Sequence, residues 1–204
     1  LRERLVALQP AQREAHERLR GRLQRLLAGW RRSGHLADAD QWQLGQGLRA
    51  LASACHRTVA DDPASAWSEP TRVAAQAQLD AWAAAGLSRV AIVGEAPAPV
   101  AGRSALRWAG ELAWVPAGVP VDAQAVLHLG VPWRLPRNTE ASPPPAVQVA
   151  LVAQDSLEEA LFDTLPRRAR VPRGTLDAEQ PGYLAGQRLA AHGAQQWAVA
   201  VDLC

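Results

Sequence analysis

Lysine and methionine are absent from this 204-residue chain, and Ile92, Phe162, Tyr183 and Asn138 are each the single residue of their type. The depleted residues are those with AT-rich codons, so the bias is that of a high-GC genome rather than a choice of chemistry. Each absence still excludes something. A phosphate-binding P-loop uses a Lys to reach the β- and γ-phosphates, and Schiff-base catalysis needs a Lys amine; neither fits a chain without Lys. A chain without Met is expected to be part of a longer reading frame. Cysteine is almost missing too: Cys55 and Cys204 alone make neither a disulfide framework nor a zinc site. No apolar run approaches the roughly 20 residues that cross a bilayer, and no signal peptide is expected. A cytoplasmic protein with no membrane partner is expected.

What is present is a domain-sized, 48% hydrophobic chain with 22 basic residues, all Arg, against 20 acidic ones. That length suffices for a substantial core, and the formal charge of +2 does not by itself call for nucleic acid. From about Ala11 to Arg32, Leu19, Leu23, Leu26, Leu27 and Trp30 recur at helical spacing on one face. Arg18, Arg22, Arg25 and Arg32 form a second stripe beside them, and Ser33 and Gly34 end the helix. Asp38 or Asp40 is positioned to cap a second helix carrying Leu44, Leu48, Leu51 and Cys55. The two make a helical hairpin. A polar linker over 58–68 follows, so residues 1–66 read as hairpin and linker and 67–204 as an α/β lobe.

In that second part, a helix from Pro70 to Ala85 has Pro in its first turn and Gly86 suited to a left-handed C-terminal position. Strands are predicted at Val90–Val93, Leu112–Val115, Ala125–Val131 and Val147–Ala153, with an alternating run from Trp197 to Leu203. Ser156-Leu-Glu-Glu159 reads as a capping box before a helix reaching Leu165, and a further helix runs to about His192. Strands alternating with helices predict a mostly parallel sheet. Ser142-Pro-Pro-Pro145 is a stiff connector that cannot be helical.

Three segments, in order, resemble the C-terminal half of Swi/Snf-type (superfamily 2) helicase-like ATPases. The first is residues 5–58, from LVALQPAQREAHERL to the Leu48-Arg49 … Cys55 end. The second is SEPTRVAAQAQLDAWAAAGLSRVAIVGE (68–95). The third is AVLHLGVPW (125–133) with VQVALVAQDSLEEALFDTL (147–165). The pairs Pro132-Trp133 and Glu158-Glu159 match family positions whose role is structural. The resemblance implies an α/β fold, an incomplete RecA-like lobe with a mostly parallel sheet preceded by an α-helical hairpin. Intact relatives use ATP and magnesium to move on duplex DNA. Two departures bear on activity. Only residues 96–124 stand where the family has several further strands and helices. After Pro132-Trp133 the family has an Arg-rich segment whose arginines reach the nucleotide phosphates, a contribution worth ~10³-fold or more; here Arg134 and Arg137 are followed by TEASPPPA. The resemblance therefore implies a lobe with no catalytic or nucleotide-binding residues and no cofactor of its own. Duplex DNA, or a helicase N-terminal lobe in cis or in trans, is the implied partner, with Arg18, Arg22, Arg25, Arg32, Arg134 and Arg137 as candidate DNA contacts.

Simpler readings stand beside these. The Arg stripe reads more readily as a solvated face balanced by Glu14 and Glu17, since Arg fills every surface basic role in a chain without Lys. Gly102-Arg103-Ser104 looks like a P-loop tail with Arg for Lys, but Pro97 replaces the needed glycine, which favours an ordinary strand-to-helix loop. The Val-Gly-Glu-Ala-Pro stretch is similar to a loop of iron–sulfur uracil-DNA glycosylases, whose cluster needs four Cys where two exist. The five His show no metal-ligand spacing, and His128, inside an apolar strand, reads as a buried core histidine. The other function class open to the chain is a protein-interaction module without nucleotide or DNA chemistry. A decayed frame with no stable fold is the third possibility.

Overall fold

A computed structural model describes residues 1–35, 37–58, 66–94, 106–116, 119, 121–131 and 145–162. Eight elements are defined among them: β1 (Arg2–Val6), α1 (Pro10–Ser33), α2 (Asp38–His56), α3 (Glu69–Ala84), β2 (Arg89–Val93), β3 (Glu111–Val115), β4 (Ala125–Leu129) and β5 (Val147–Ala153). A further helical stretch covers 157–162. The five strands form one sheet in the order β1-β5-β4-β2-β3, and every pairing is parallel. The register places Arg2 beside Val149, Ala125 beside Val147, Val90 beside Ala125 and Arg89 beside Glu111.

Side chains alternate across a strand, and here each side of the sheet finds a helical cover. Leu23 and Leu27 of α1 and Leu44, Leu48 and Leu51 of α2 pack with Ala150 and Val152 of β5 and with Leu157 and Leu161. On the other side, Ala75, Leu79 and Trp82 of α3 pack on Val90, Ile92, Ala125, Leu127, Val149 and Leu151, joined by Val6. β2, β4 and β5 are nearly continuous apolar runs, as central strands buried on both faces require. Burying one such Leu, Val or Ile side chain is worth about 1.5–3 kcal/mol, so these two clusters hold the layers together.

The α/β fold with a parallel sheet and a leading helical hairpin agrees with the sequence reading, with four differences of detail. Residues 2–6, assigned no element from sequence, form edge strand β1; only Val6 is buried, so the strand has little apolar signature. The α2 N-cap is Ala37, and Asp38 and Asp40 lie inside the first turn, where a carboxylate favours the helix dipole without capping it. Strand β4 stops at Leu129, before Gly130 at φ 82°. The 58–68 linker is pinned at its ends: Arg57 and Trp67 form an antiparallel bridge, and Thr58 N–H donates to Ala66 O at 2.9 Å.

α3 ends as its sequence predicts. Gly86 adopts φ 78°, its N–H donates to Ala83 O, and Leu87 N–H donates to Trp82 O, which closes a Schellman motif. The predicted elements at 163–204, including the run Trp197–Leu203 and the helix to His192, lie outside the described residues, as do Pro132 to Pro144.

Candidate functional site

Two places carry polar groups in an arrangement that the core alone does not require. The first is the outer face of α1. Leu23 and Leu27 face inward, so the 3.6-residue period turns Arg18, Arg22, Arg25 and Arg32 outward, and all four are exposed. α1 holds seven Arg against two Glu, so the chain's small positive balance is concentrated on this helix. Among the described residues no ion pair joins these four to a carboxylate. The balancing by Glu14 and Glu17 expected of a solvated face is therefore not seen as contacts. The remaining candidate DNA contacts, Arg134 and Arg137, lie outside the described residues, as do Pro132 and Trp133.

The second place is the carboxyl-terminal edge of the sheet. Chain direction across the sheet reverses between β2, which leads outward to β3, and β4, which leads back to β5. Open parallel sheets bind ligands in the crevice at such a reversal. Here the described residues at those strand ends are Val93, Gly94, Leu129, Gly130 and Val131. They offer no side chain to a phosphate or a magnesium ion.

Beside that crevice, at the ends of β4 and β5, the space is filled by a buried polar hub. His56, the last residue of α2, places Nε2 2.8 Å from Glu158 Oε2. That same oxygen accepts the Ala153 N–H at 3.1 Å. The other ring nitrogen of His56 lies 3.3 Å from Thr71 Oγ1, which is 3.0 Å from Ser68 Oγ at the start of α3. Gly130 is part of the fit: a Cβ there would collide with Glu158 Oε1 and approach His56 Nε2 to 3.5 Å. Hydroxyl, imidazole and carboxylate in series are the ingredients of acid–base catalysis, but Ser68, Thr71, His56 and Glu158 are all buried. The hub fastens α2, α3, β5 and the 157–162 helix to one another.

Around the hub, further side chains complete backbone groups at element ends. Ser156 Oγ donates to Ala153 O at 2.6 Å and accepts the Glu158 N–H at 3.0 Å. Glu159 Oε2 accepts the N–H of Asp155, at 2.7 Å, so the predicted capping box closes one residue early. The next free N–H, that of Leu157, donates to His16 Nε2 of α1 at 3.2 Å. Gln12 Nε2 donates to the carbonyls of Ala54, Cys55 and Arg57 at 3.0, 3.3 and 3.2 Å, covering the end of α2.

Two histidines are electrostatically unusual. Burial holds the His16 imidazole below its ordinary value, with Arg20 acting in the same direction and Glu158 and Glu17 opposing. Burial also lowers His128, against the hydrogen bond from its Nε2 to Gln148 Oε1 at 3.1 Å. His128 Nδ1 is buried without a partner. The sequence reading of His128 as a buried core histidine therefore holds. No group of three His, Cys, Asp or Glu among the described residues is arranged to hold a metal ion, and no described helix is long and apolar enough to cross a membrane.

Of the motif residues, Glu158 is buried in the hub, and Glu159 accepts the Asp155 N–H. Sequence reasoning missed His56, Ser68 and Thr71 as members of one network with Glu158, and His16 as the acceptor beside it. His56 and Glu158 are 102 residues apart, and the available signal was only that an imidazole follows an apolar helix face.

No protein-family model matches this chain, and no curated protein matches it. Among solved structures, it is similar to the C-terminal domain of a SWI2/SNF2 ATPase from Sulfolobus solfataricus, with a TM-score of 0.55. The match covers 95% of this chain and 95% of that one, at 11% sequence identity. The chain thus has a fold like that of a helicase C-terminal lobe.

Proposed function

We propose that this chain is the C-terminal lobe of a Swi/Snf-related, DNA-dependent ATPase in which the chemistry has been lost and a DNA-facing scaffold retained. The observation that carries this reading is the fold likeness over 95% of both chains. Two others support it. The first is the strand ends at the sheet's reversal point, where the described residues do not fit a nucleotide and its magnesium ion: they are aliphatic or Gly, and the nearby Glu158 is committed to His56 and the Ala153 N–H. The absence of Lys, and a sequence after Trp133 that carries Arg134 and Arg137 but no extended Arg-rich segment, add to this: the described strand ends supply no charge-stabilising group for phosphoryl transfer. The second is α1, whose Arg18, Arg22, Arg25 and Arg32 occupy one exposed face and would each neutralise a backbone phosphate and release a counterion. A cytoplasmic location accompanies this reading. Single-turnover incubation with ATP, magnesium and duplex DNA tests it: no hydrolysis above the uncatalysed rate is expected, and robust hydrolysis would overturn the loss of chemistry.

A second reading is a protein-interaction module whose hairpin docks a helicase N-terminal lobe, in cis or in trans. Trp42 favours it, standing 66% exposed on α2 where a packed Trp would be covered. Association with such a lobe that persists at high salt, without DNA affinity, would select this reading over the first.

A further inference from the structure

Among the contacts that join the hairpin to the lobe, one depends in its sense on a single proton. Leu157 N–H, the first of the 157–162 helix, has no helical acceptor of its own, and it is buried against His16 Nε2 at 3.2 Å. A backbone N–H can only donate, so Nε2 must carry its lone pair, and the ring's proton must sit on Nδ1. Protonated His16 would oppose N–H to N–H at that point, and with 2% of its surface exposed it has no solvent to turn to.

The geometry points to a proton-operated latch at this joint: neutral His16 adds its hydrogen bond to the leucine packing that seats the α1–α2 hairpin on the carboxyl end of β5, and protonation removes that bond and loosens the joint. The groups facing His16 are Arg20 and Glu17 on α1, Glu158 on the 157–162 helix and, through Glu158, His56 on α2. Arg20 opposes a second positive charge there, while Glu17 and Glu158 favour it. The burial that depresses the His16 proton affinity outweighs both carboxylates, so the closed latch excludes the proton and the open one accepts it. His56 is not the moving part: its ring is held between Glu158 Oε2 at 2.8 Å and Thr71 Oγ1 at 3.3 Å, away from the His16 contact. Arg13 and Asp155, 3.9 Å apart and largely exposed, cross the same joint but contribute little to holding it. The inference rests on the His16 contact alone and stands whether or not the chain binds DNA.

The sign follows from linkage. The closed state binds fewer protons than the open one between the ordinary His value of about 6.5 and the lowered value of buried His16, so opening rises as pH falls through that window. One proton gives at most about a tenfold rise per pH unit. Hydrogen–deuterium exchange of the whole chain between pH 7.5 and 5.5, corrected for intrinsic exchange, reads this directly. Hairpin opening is expected to rise in the wild type, to be flat in His16→Gln, whose amide oxygen still accepts but does not titrate, and to rise as in the wild type in His128→Gln. A flat wild-type hairpin, or a His16→Gln variant that responds like the wild type, overturns the latch. If His16→Gln does not fold, nitrogen NMR of the wild type decides: bare Nε2 at pH 7.5, and hairpin amides that change with the His16 midpoint, are expected. An Nε2–H tautomer, or a hairpin indifferent to that titration, overturns it.

Discussion

Replacing Gly130 by Ala isolates the energetic weight of the buried hub. Gly130 sits just past β4 at φ 82°, and an added Cβ would strike Glu158 Oε1 and crowd His56 Nε2. Two costs follow. Holding a Cβ-bearing residue in the left-handed region costs about 1–2 kcal/mol. Driving Glu158 off His56 separates a buried charge from its partner, which costs about 3–5 kcal/mol when the separation is complete. Gly86→Ala supplies the control, because Gly86 has nearly the same φ, 78°, with nothing within 4 Å of the added Cβ. Urea unfolding followed by far-UV circular dichroism should therefore show a loss of about 1–2 kcal/mol for Gly86→Ala and about 4–7 kcal/mol for Gly130→Ala. In a Glu158→Ala background the colliding oxygen is gone, and Gly130→Ala should cost only the backbone component. Equal losses at Gly86 and Gly130 in the wild-type background would refute the argument that Gly130 is there to admit the His56–Glu158 pair.

Gln12→Ala removes one amide that covers three carbonyls at the end of α2 and leaves the Gln9 N–H without its acceptor Gln12 Oε1, at 3.0 Å. A loss of about 2–3 kcal/mol is expected by chemical denaturation, and an effect below about 0.5 kcal/mol would show that these groups are satisfied otherwise. Stability of the whole chain should also fall on acidification. His16 and His128 both have folded-state values lowered chiefly by burial, so the stability they contribute is present above about pH 6.5 and is lost as pH drops toward their folded values. Each contributes a slope of at most about 1.4 kcal/mol per pH unit, and the double variant His16→Gln/His128→Gln should flatten the urea midpoint between pH 7 and 5.

The elements with strong periodicity were legible from the residues. α1, α3, β2, β4 and β5 bury the positions their patterns mark, because each packs one whole face or both against the core. Strand β1 was not legible: Arg2-Glu-Arg-Leu-Val lies at a sheet edge, and its ladder to β5 is made by backbone groups that no side-chain pattern reports. The α2 start was misplaced because a carboxylate within the first turn and one at the cap read alike in sequence. The stripe of Arg18, Arg22, Arg25 and Arg32 was legible as a face, whereas its lack of carboxylate partners among the described residues needed coordinates. The hub was invisible because its members come from α2, α3 and the segment after β5, and only folding brings His56, Thr71 and Glu158 together. Glu158 and Glu159 stood out as a family-like pair, yet they do different work: one is paired inside the hub, and the other closes the turn at Asp155.

The measurement that tests the central claim most directly is the salt dependence of duplex DNA binding, by fluorescence anisotropy, for the wild type and for a variant with Arg18, Arg22, Arg25 and Arg32 all changed to Gln. A scaffold that lays α1 along the phosphate backbone predicts that log K falls with log salt at a slope of about −3 to −4 from these four contacts, and that the variant loses that share of the slope. Binding whose slope is the same in the variant, or no binding to duplex DNA at low salt, would contradict it.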